Sequence, residues 1–237
     1  VSESTVVRFA IELGFSGYPK LQKSLQELIK NKLTTVQRLE LSSDYITEGH
    51  ALKGVLKADM ENIRATMEKI DYNTFEDVVN NIFAAKRIYI IGLRSSMALA
   101  EFLGFYLNII LQNVKTVGYG ISDIFEQMIN VGEGDLVIGI GFPRYASRTI
   151  DALAFAQDRG ARVVAVTDSF LSPLATRADY ALIAQSNMAS FVDSLVAPLS
   201  VINALIIAVG MREKDNISST FNSLEEIWQE YNVYSYN

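Results

Sequence analysis

Between residues 87 and 211 the chain alternates short runs rich in Val and Ile with longer stretches whose apolar residues recur three and four apart. The short runs are Arg87–Ile91, Val114–Val117, Asp135–Ile140, Ala161–Val166 and Asp179–Ala184. Between and after them, helical spacing covers Ser95–Leu111, Ile121–Asn130, Ala146–Arg159, a short piece from Ser172, and Ser190–Met211. Strands apolar on both sides must be covered on both sides, and strictly alternating strands and helices do this by wrapping helices over a parallel sheet. The expectation is an α/β fold: a doubly wound, five-stranded parallel sheet with right-handed crossovers.

The N-terminal part reads differently. Ser2 is placed to cap a helix, Val6, Val7, Ala10 and Leu13 share one face of it, and Gly14 is placed to end it. Gly17 and Pro19 extend the break before a second helix from Lys20. From Pro19 to Ile70 the pattern stays helical, with Leu21, Leu25, Leu28 and Ile29, then Leu52, Val55, Leu56 and Met60, spaced to pack on another surface such as a second copy of the chain. An amphipathic helix carrying Trp228 is expected over Leu224–Tyr234.

Composition removes several chemistries. The 237 residues include no cysteine and one histidine, His50, which is expected at the surface of the helical arm. Disulfides, thiolate zinc sites and cysteine nucleophiles are excluded, and a histidine-rich metal centre or a histidine-dependent triad has too few ligands. No cofactor is expected. The apolar stretch Leu195–Met211 contains Pro198, Ser200 and Asn203 and falls short of the roughly 20 residues a spanning helix needs, so it reads as a core or interface helix. No basic and apolar leader opens the sequence, and a cytoplasmic location is expected. Residues 1–40 hold six Lys or Arg against four Asp or Glu, while the remainder holds 15 against 23. An acidic body with a mildly basic arm leaves only the arm suited to nucleic acid.

Ligands of open parallel sheets bind beyond the carboxyl ends of the strands. The first strand is followed by Gly92-Leu93-Arg94-Ser95-Ser96, which offers a guanidinium and two hydroxyls at a helix start. These form an anion site, or else Ser95 or Ser96 only caps the helix. The third strand is followed by Gly141-Phe142-Pro143-Arg144-Tyr145-Ala146-Ser147-Arg148-Thr149. Its guanidinium fork suits phosphate, and the competing reading is a solvated loop capped by Ser147. After the fourth strand, Thr167 and Asp168 are suited to sugar hydroxyls or to an ordinary turn. There is no P-loop lysine motif, and the first loop lacks the second glycine of a dinucleotide site.

On these residues the sequence resembles the RpiR-type regulators, which join an N-terminal helix-turn-helix to a sugar isomerase (SIS) domain. Two regions carry the resemblance. Ser2-Glu3-Ser4-Thr5-Val6-Val7-Arg8-Phe9 with Leu13-Gly14-Phe15-Ser16-Gly17-Tyr18 is similar to the recognition helix and the segment after it, and residues 74 to about 212 are similar to the SIS domain. The resemblance implies a homodimer or homotetramer whose affinity for operator DNA is set by a sugar phosphate, with no membrane partner. Ser4, Thr5 and Arg8 would then face DNA. It also implies that Val1, in place of an initiator methionine, comes after missing helices of the DNA-binding motif. In the family's pattern a glycine stands at the place of Arg94, a ligand serine falls on Ser96, and a Ser-x-Ser-Gly-x-Thr loop occupies the place of Gly141–Ala146. The three loop hydroxyls are absent here, and Arg94 and Arg144 are expected to supply charge instead.

The resulting division is 1–30 for the end of the helix-turn-helix, 31–73 for a helical oligomerisation region, 74–212 for the SIS domain and 213–237 for a C-terminal helix. The helices from residue 20 to 70 are expected to be the only covalent route between the two functional regions. The competing activities are a phosphosugar isomerase or deglycase, for which Glu126 and Asp168 are the available carboxylates, and an oligomerisation module with an inactive pocket.

Overall fold

The computed structural model describes residues 3–22, 25, 33–42, 50–188 and 190–235. Ser2, Leu28, Ile29 and Gly49, singled out in the sequence, lie outside the described residues. The others fall into two compact units, one running to Val55 and joined by Met188–Asp193, the other comprising Leu56–Asn187 and the chain from Ser194 onward.

In the first unit α1 spans Glu3–Glu12 and α2 spans Thr35–Ser42. Gly14 ends α1 as expected. It adopts φ +82°, the Gly14 N–H donates to Ile11 O at 2.9 Å, and the Phe15 N–H donates to Ala10 O at 3.0 Å. This paired arrangement satisfies the last carbonyls of a helix through a left-handed residue. The expected apolar face is only partly covered: Ala10 is buried, whereas Val7 and Leu13 are exposed. Spacing decides which residues share a face, but burial also needs an opposing surface.

The second unit holds α3 (Ala51–Lys69, beginning in the first unit), α4 (Tyr72–Ala84), β1 (Ile88–Ile91), α5 (Met97–Leu111), β2 (Val114–Val117) and α6 (Ile124–Gln127). It continues with β3 (Leu136–Ile140), α7 (Ser147–Gln157), β4 (Arg162–Thr167), β5 (Tyr180–Ile183), α8 (Val196–Arg212) and α9 (Lys214–Glu230). All five strands are parallel, in the order β2-β1-β3-β4-β5. The doubly wound five-stranded sheet expected from the sequence is therefore present.

Side chains on a strand alternate between faces, and the core obeys that rule. Ile88 and Ile90 of β1 enter one cluster with Val78, Ile82, Leu103, Ile202 and Leu205, contributed by α4, α5 and α8. Tyr89 and Ile91 enter the opposite cluster with Met128, Ala152, Leu153 and Ala156. Helices cover both faces, which is why the central strands are buried along their whole length. Among the described residues, no single helix is long and apolar enough to cross a membrane.

Four expectations change. The helix expected over Ile121–Asn130 is one turn, because Asp123 accepts from the backbone of Phe125 and Glu126 reaches back to the Asp123 N–H, starting it late. Glu126 is thereby engaged as part of a helix cap. The helix expected from Ser190 begins at Val196, since residues 188–193 belong to the first unit. The C-terminal helix starts at Lys214 rather than Leu224. Finally, residues 20–70 are not the only covalent route between the units: the chain crosses again before Met188 and after Asp193.

Candidate functional site

The strand order reverses between β1 and β3. From β1 the chain crosses to β2 on one side, and all later strands add on the other. At such a reversal the loops after the two neighbouring strands diverge and leave a crevice at their carboxyl ends. β1 and β3 are paired directly, with Ile91 opposite Gly139, so the Arg94 and Arg144 loops leave adjacent strands.

The first loop turns tightly. A Cβ on Gly92 would sit 2.7 Å from Ser96 O and 3.2 Å from Ile140 O, so only glycine lets the loop fold across the end of β3. A short 3-10 turn, Arg94–Ser96, then leads into α5. Arg94 takes φ +59° and is exposed, Ser95 is exposed, and Ser96 is buried. Ser96 is the N-cap of α5 but makes no side-chain cap hydrogen bond. The capping alternative is thus not realised there.

The second loop repeats this design. Arg144 takes φ +64° and is exposed, and α7 begins at the exposed Ser147 after Ala146, an N-cap with no side-chain acceptor. The N–H groups of Thr149 and Ile150 both turn back to Ala146 O. Two helix starts without side-chain caps therefore flank the crevice, each preceded by an arginine in a left-handed conformation. An L-residue there costs about 1 kcal/mol, strain that persists only where the surroundings enforce it. The dipole of a helix start, together with positive charge beside it, favours an anion. Thr149 Oγ1, which is not among the expected ligands, is buried in the first turn of α7 with no partner among the described residues.

Tyr145, Thr167 and Asp168 are brought into contact. Tyr145 Oη donates to Asp168 Oδ1 at 2.7 Å, and Thr167 Oγ1 donates to the same oxygen at 3.2 Å. Burial raises the Asp168 carboxyl above the ordinary carboxylate range, and the hydrogen bonds from Tyr145 and Thr167 act in the opposite direction. Behind it, Gln185 Nε2 donates to the Asp168 carbonyl at 3.1 Å. Gln185 had no signal in sequence beyond a polar residue after a strand. Beyond β2, an open cleft of about 390 Å³ is lined by Met97, Glu101, Thr116, Gly118 and Gln127. Its cue was the Gly118-Tyr119-Gly120 turn after the second strand.

The three residues expected to face DNA are not part of this crevice and belong to α1 of the first unit. Ser4, Thr5 and Arg8 are all exposed, with Arg8 one turn beyond Ser4 and the buried Ala10 off that face. Among the described residues, no group of three or more His, Cys, Asp or Glu side chains is placed to hold a metal ion.

Comparison with known proteins gives this geometry a family. The model of the SIS domain matches residues 81–208, more than half of the chain. An HTH-type transcriptional regulator of Haemophilus influenzae is 30% identical over 188 residues, covering 77% of this chain and 64% of its own length. The chain thus spans a little under two thirds of that relative. Among solved structures, the sugar isomerase domain of an RpiR transcription factor from Sphaerobacter thermophilus is 29% identical, with a TM-score of 0.71, covering 75% of this chain and 99% of that one. The Vibrio vulnificus NanR protein complexed with ManNAc-6P shares the fold at 19% identity and a TM-score of 0.65, over 98% of this chain and 82% of its own. With a five-stranded parallel sheet whose strand order reverses between β1 and β3, and a family match across residues 81–208, the chain belongs to the SIS-domain family.

Proposed function

We propose that the chain is the sensing part of a DNA-binding transcriptional regulator whose operator affinity is controlled by a sugar phosphate bound at the β1–β3 crevice. The observation that carries this reading is the pair of exposed, left-handed arginines, Arg94 and Arg144, before neighbouring helix starts that lack side-chain caps. The phosphate would lie between Arg94, Ser95 and Ser96 on one side and Arg144 and Ser147 on the other. Tyr145, Thr167 and Asp168 would meet the sugar hydroxyls. The guanidinium suits phosphate because its planar fork makes two parallel hydrogen bonds.

The regulatory half of the proposal is supported by three relatives that are HTH-type transcriptional regulators. Residues 1–30 would end a helix-turn-helix presenting Ser4, Thr5 and Arg8 to operator DNA. Residues 31–73 would link it to a sensor at 74–212, followed by a C-terminal helix in 213–237. The protein would act in the cytoplasm as a homodimer or homotetramer, without catalysis. Thermal unfolding with phosphorylated sugars tests the sensor. A ligand at about 100 times its dissociation constant adds roughly 2.7 kcal/mol to stability. The melting temperature should rise for at least one phosphosugar, and Arg144→Ala should abolish the rise. No rise with any phosphosugar would end this reading.

One observation favours a second reading. A carboxyl raised by burial at a strand end, as in Asp168, is what a general base for phosphosugar isomerisation requires. Turnover of fructose 6-phosphate or glucosamine 6-phosphate, lost in Asp168→Asn, would establish the enzyme.

A further inference from the structure

Helix α3 is attached to the second unit in an unusual way. Its buried side chains are both polar, Asn62 and Thr66, while Leu56, Met60, Ile63 and Met67 are exposed. The polar pair meets the segment after β5. Thr66 Oγ1 accepts from the Gln185 N–H at 2.8 Å and donates to Asn62 O at 2.8 Å. Asn62 Nδ2 donates to Asn187 O at 2.9 Å, and Asn62 Oδ1 accepts from Asn187 N and Nδ2 at 3.2 and 3.0 Å. Further along, Ser194 Oγ donates to Asp59 Oδ1 at 2.6 Å.

Gln185 is the residue at which this seam reaches the crevice. Its backbone N–H is held by Thr66, its Oε1 accepts from Lys69 Nζ at 3.4 Å, and its Nε2 holds the carbonyl of Asp168. It is buried, as are Asn62 and Thr66. Next to it, Ser186 Oγ is buried with no partner among the described residues. A helix fastened by apolar packing resists displacement through many non-directional contacts. One fastened by a few hydrogen bonds is weakly held, and its position depends on where each partner lies.

We propose that Gln185 couples the sheet-edge site to α3, so that a ligand moving the Asp168 turn alters how α3 is held. The inference rests on the sensor reading above, because it takes that site as the place where a phosphosugar binds. α3 runs unbroken back to Ala51, so whatever changes at Thr66 and Asn62 is passed along the same helix to the chain of the first unit. The seam acts as a regulatory connection because it is polar, specific and marginal.

Hydrogen exchange by mass spectrometry on the whole chain tests the proposal in two arms. Without ligand, Thr66→Val, which keeps the shape and removes the acceptor of the Gln185 N–H, should speed exchange across residues 56–69 by about two- to tenfold, the loss expected for one hydrogen bond, and leave 97–111 unchanged. Gln185→Ala keeps that backbone bond and removes the side-chain bonds to Lys69 Nζ and to the Asp168 carbonyl, so it should speed exchange in 56–69 by less. Wild-type exchange in 56–69 for both variants overturns the proposal whatever the ligand does. In the second arm, fructose 6-phosphate, glucosamine 6-phosphate and N-acetylmannosamine 6-phosphate are added, with melting temperature read on the same samples. A sugar that raises the melting temperature should alter exchange in 56–69 of the wild type and not of Gln185→Ala. An equal change in both proteins, or none in either, overturns the coupling while leaving the sensor intact. If none of these sugars raises the melting temperature, a wider phosphosugar panel tests the sensor, and failure there overturns sensor and coupling together.

Discussion

Tyr145 Oη donates a 2.7 Å hydrogen bond to Asp168 Oδ1, tying the loop after β3 to the end of β4. Tyr145 comes directly after Arg144, so this bond fixes the backbone that carries the second left-handed arginine. Asp168 is the acceptor, and burial raises its carboxyl above the ordinary range while this hydrogen bond opposes the shift.

That balance has a measurable pH dependence. Burial raises the Asp168 carboxyl, so the folded state holds its proton more tightly than the unfolded chain does. Such a group contributes stability that is whole at acid pH and is lost as pH rises through its folded-state pKa. Asp168→Asn keeps an oxygen for Tyr145 and removes the buried charge. It should raise the melting temperature by a few degrees near neutral pH, with the gain vanishing below the carboxylate range. A gain of equal size at acid and neutral pH would mean that charge is not the cause.

The two arginines should show opposite effects on stability and binding. Arg94→Gly and Arg144→Gly each relieve a positive φ, partly offset by the greater freedom of glycine in the unfolded chain, for a net gain of about 0.5 kcal/mol. Each should weaken phosphosugar binding by tenfold or more. Denaturant melts and calorimetric titration measure the two effects. Variants that are both less stable and still tight-binding would remove these residues from the site.

Gly104 on α5 faces β2 so closely that a Cβ would run into the Thr116 hydroxyl. Gly104→Ala should destabilise by about 1–3 kcal/mol through overpacking. Adding Thr116→Ala should recover part of that loss, because the two changes share one space. Additive losses in urea unfolding would show that helix and strand adjust independently.

In the first unit, Arg38 is 2% exposed and its Nη1 pairs with Asp193 Oδ1 at 2.9 Å. Its Nε is buried without a partner among the described residues. Removing one member of a buried ion pair leaves the other charge uncompensated, whereas replacing both is far milder. Asp193→Ala should cost about 2–4 kcal/mol. The double variant Arg38→Met with Asp193→Ala should cost less than Asp193→Ala alone, as read from melting curves. The reverse order would show that the pair is held by packing rather than charge.

Much of the second unit is legible in the order of its residues. The runs at residues 88–91, 114–117, 136–140, 162–167 and 180–183 are short, Val- and Ile-rich and separated by helical spacing, which few folds other than a covered parallel sheet can accommodate. The loops after β1 and β3 are legible as loops too, because glycines end both runs and an arginine follows each. Gln185 is not, because a glutamine after a strand carries no pattern until Thr66 and Asp168 are brought to it from residues far away in the sequence.

The chain order of Val and Ile runs, glycines and arginines decided the sheet, its covering helices and the chemistry at its edge, since periodicity and backbone freedom are local properties. Folding alone decided that Arg94 and Arg144 take left-handed backbones in the loops after adjacent strands, that the helix starts at Ser96 and Ala146 have no side-chain cap, and that α3 is held by Asn62 and Thr66 instead of its leucines and methionines. These depend on which surfaces meet in space. A face can be apolar in sequence and still stay exposed when its polar neighbours find the better partners.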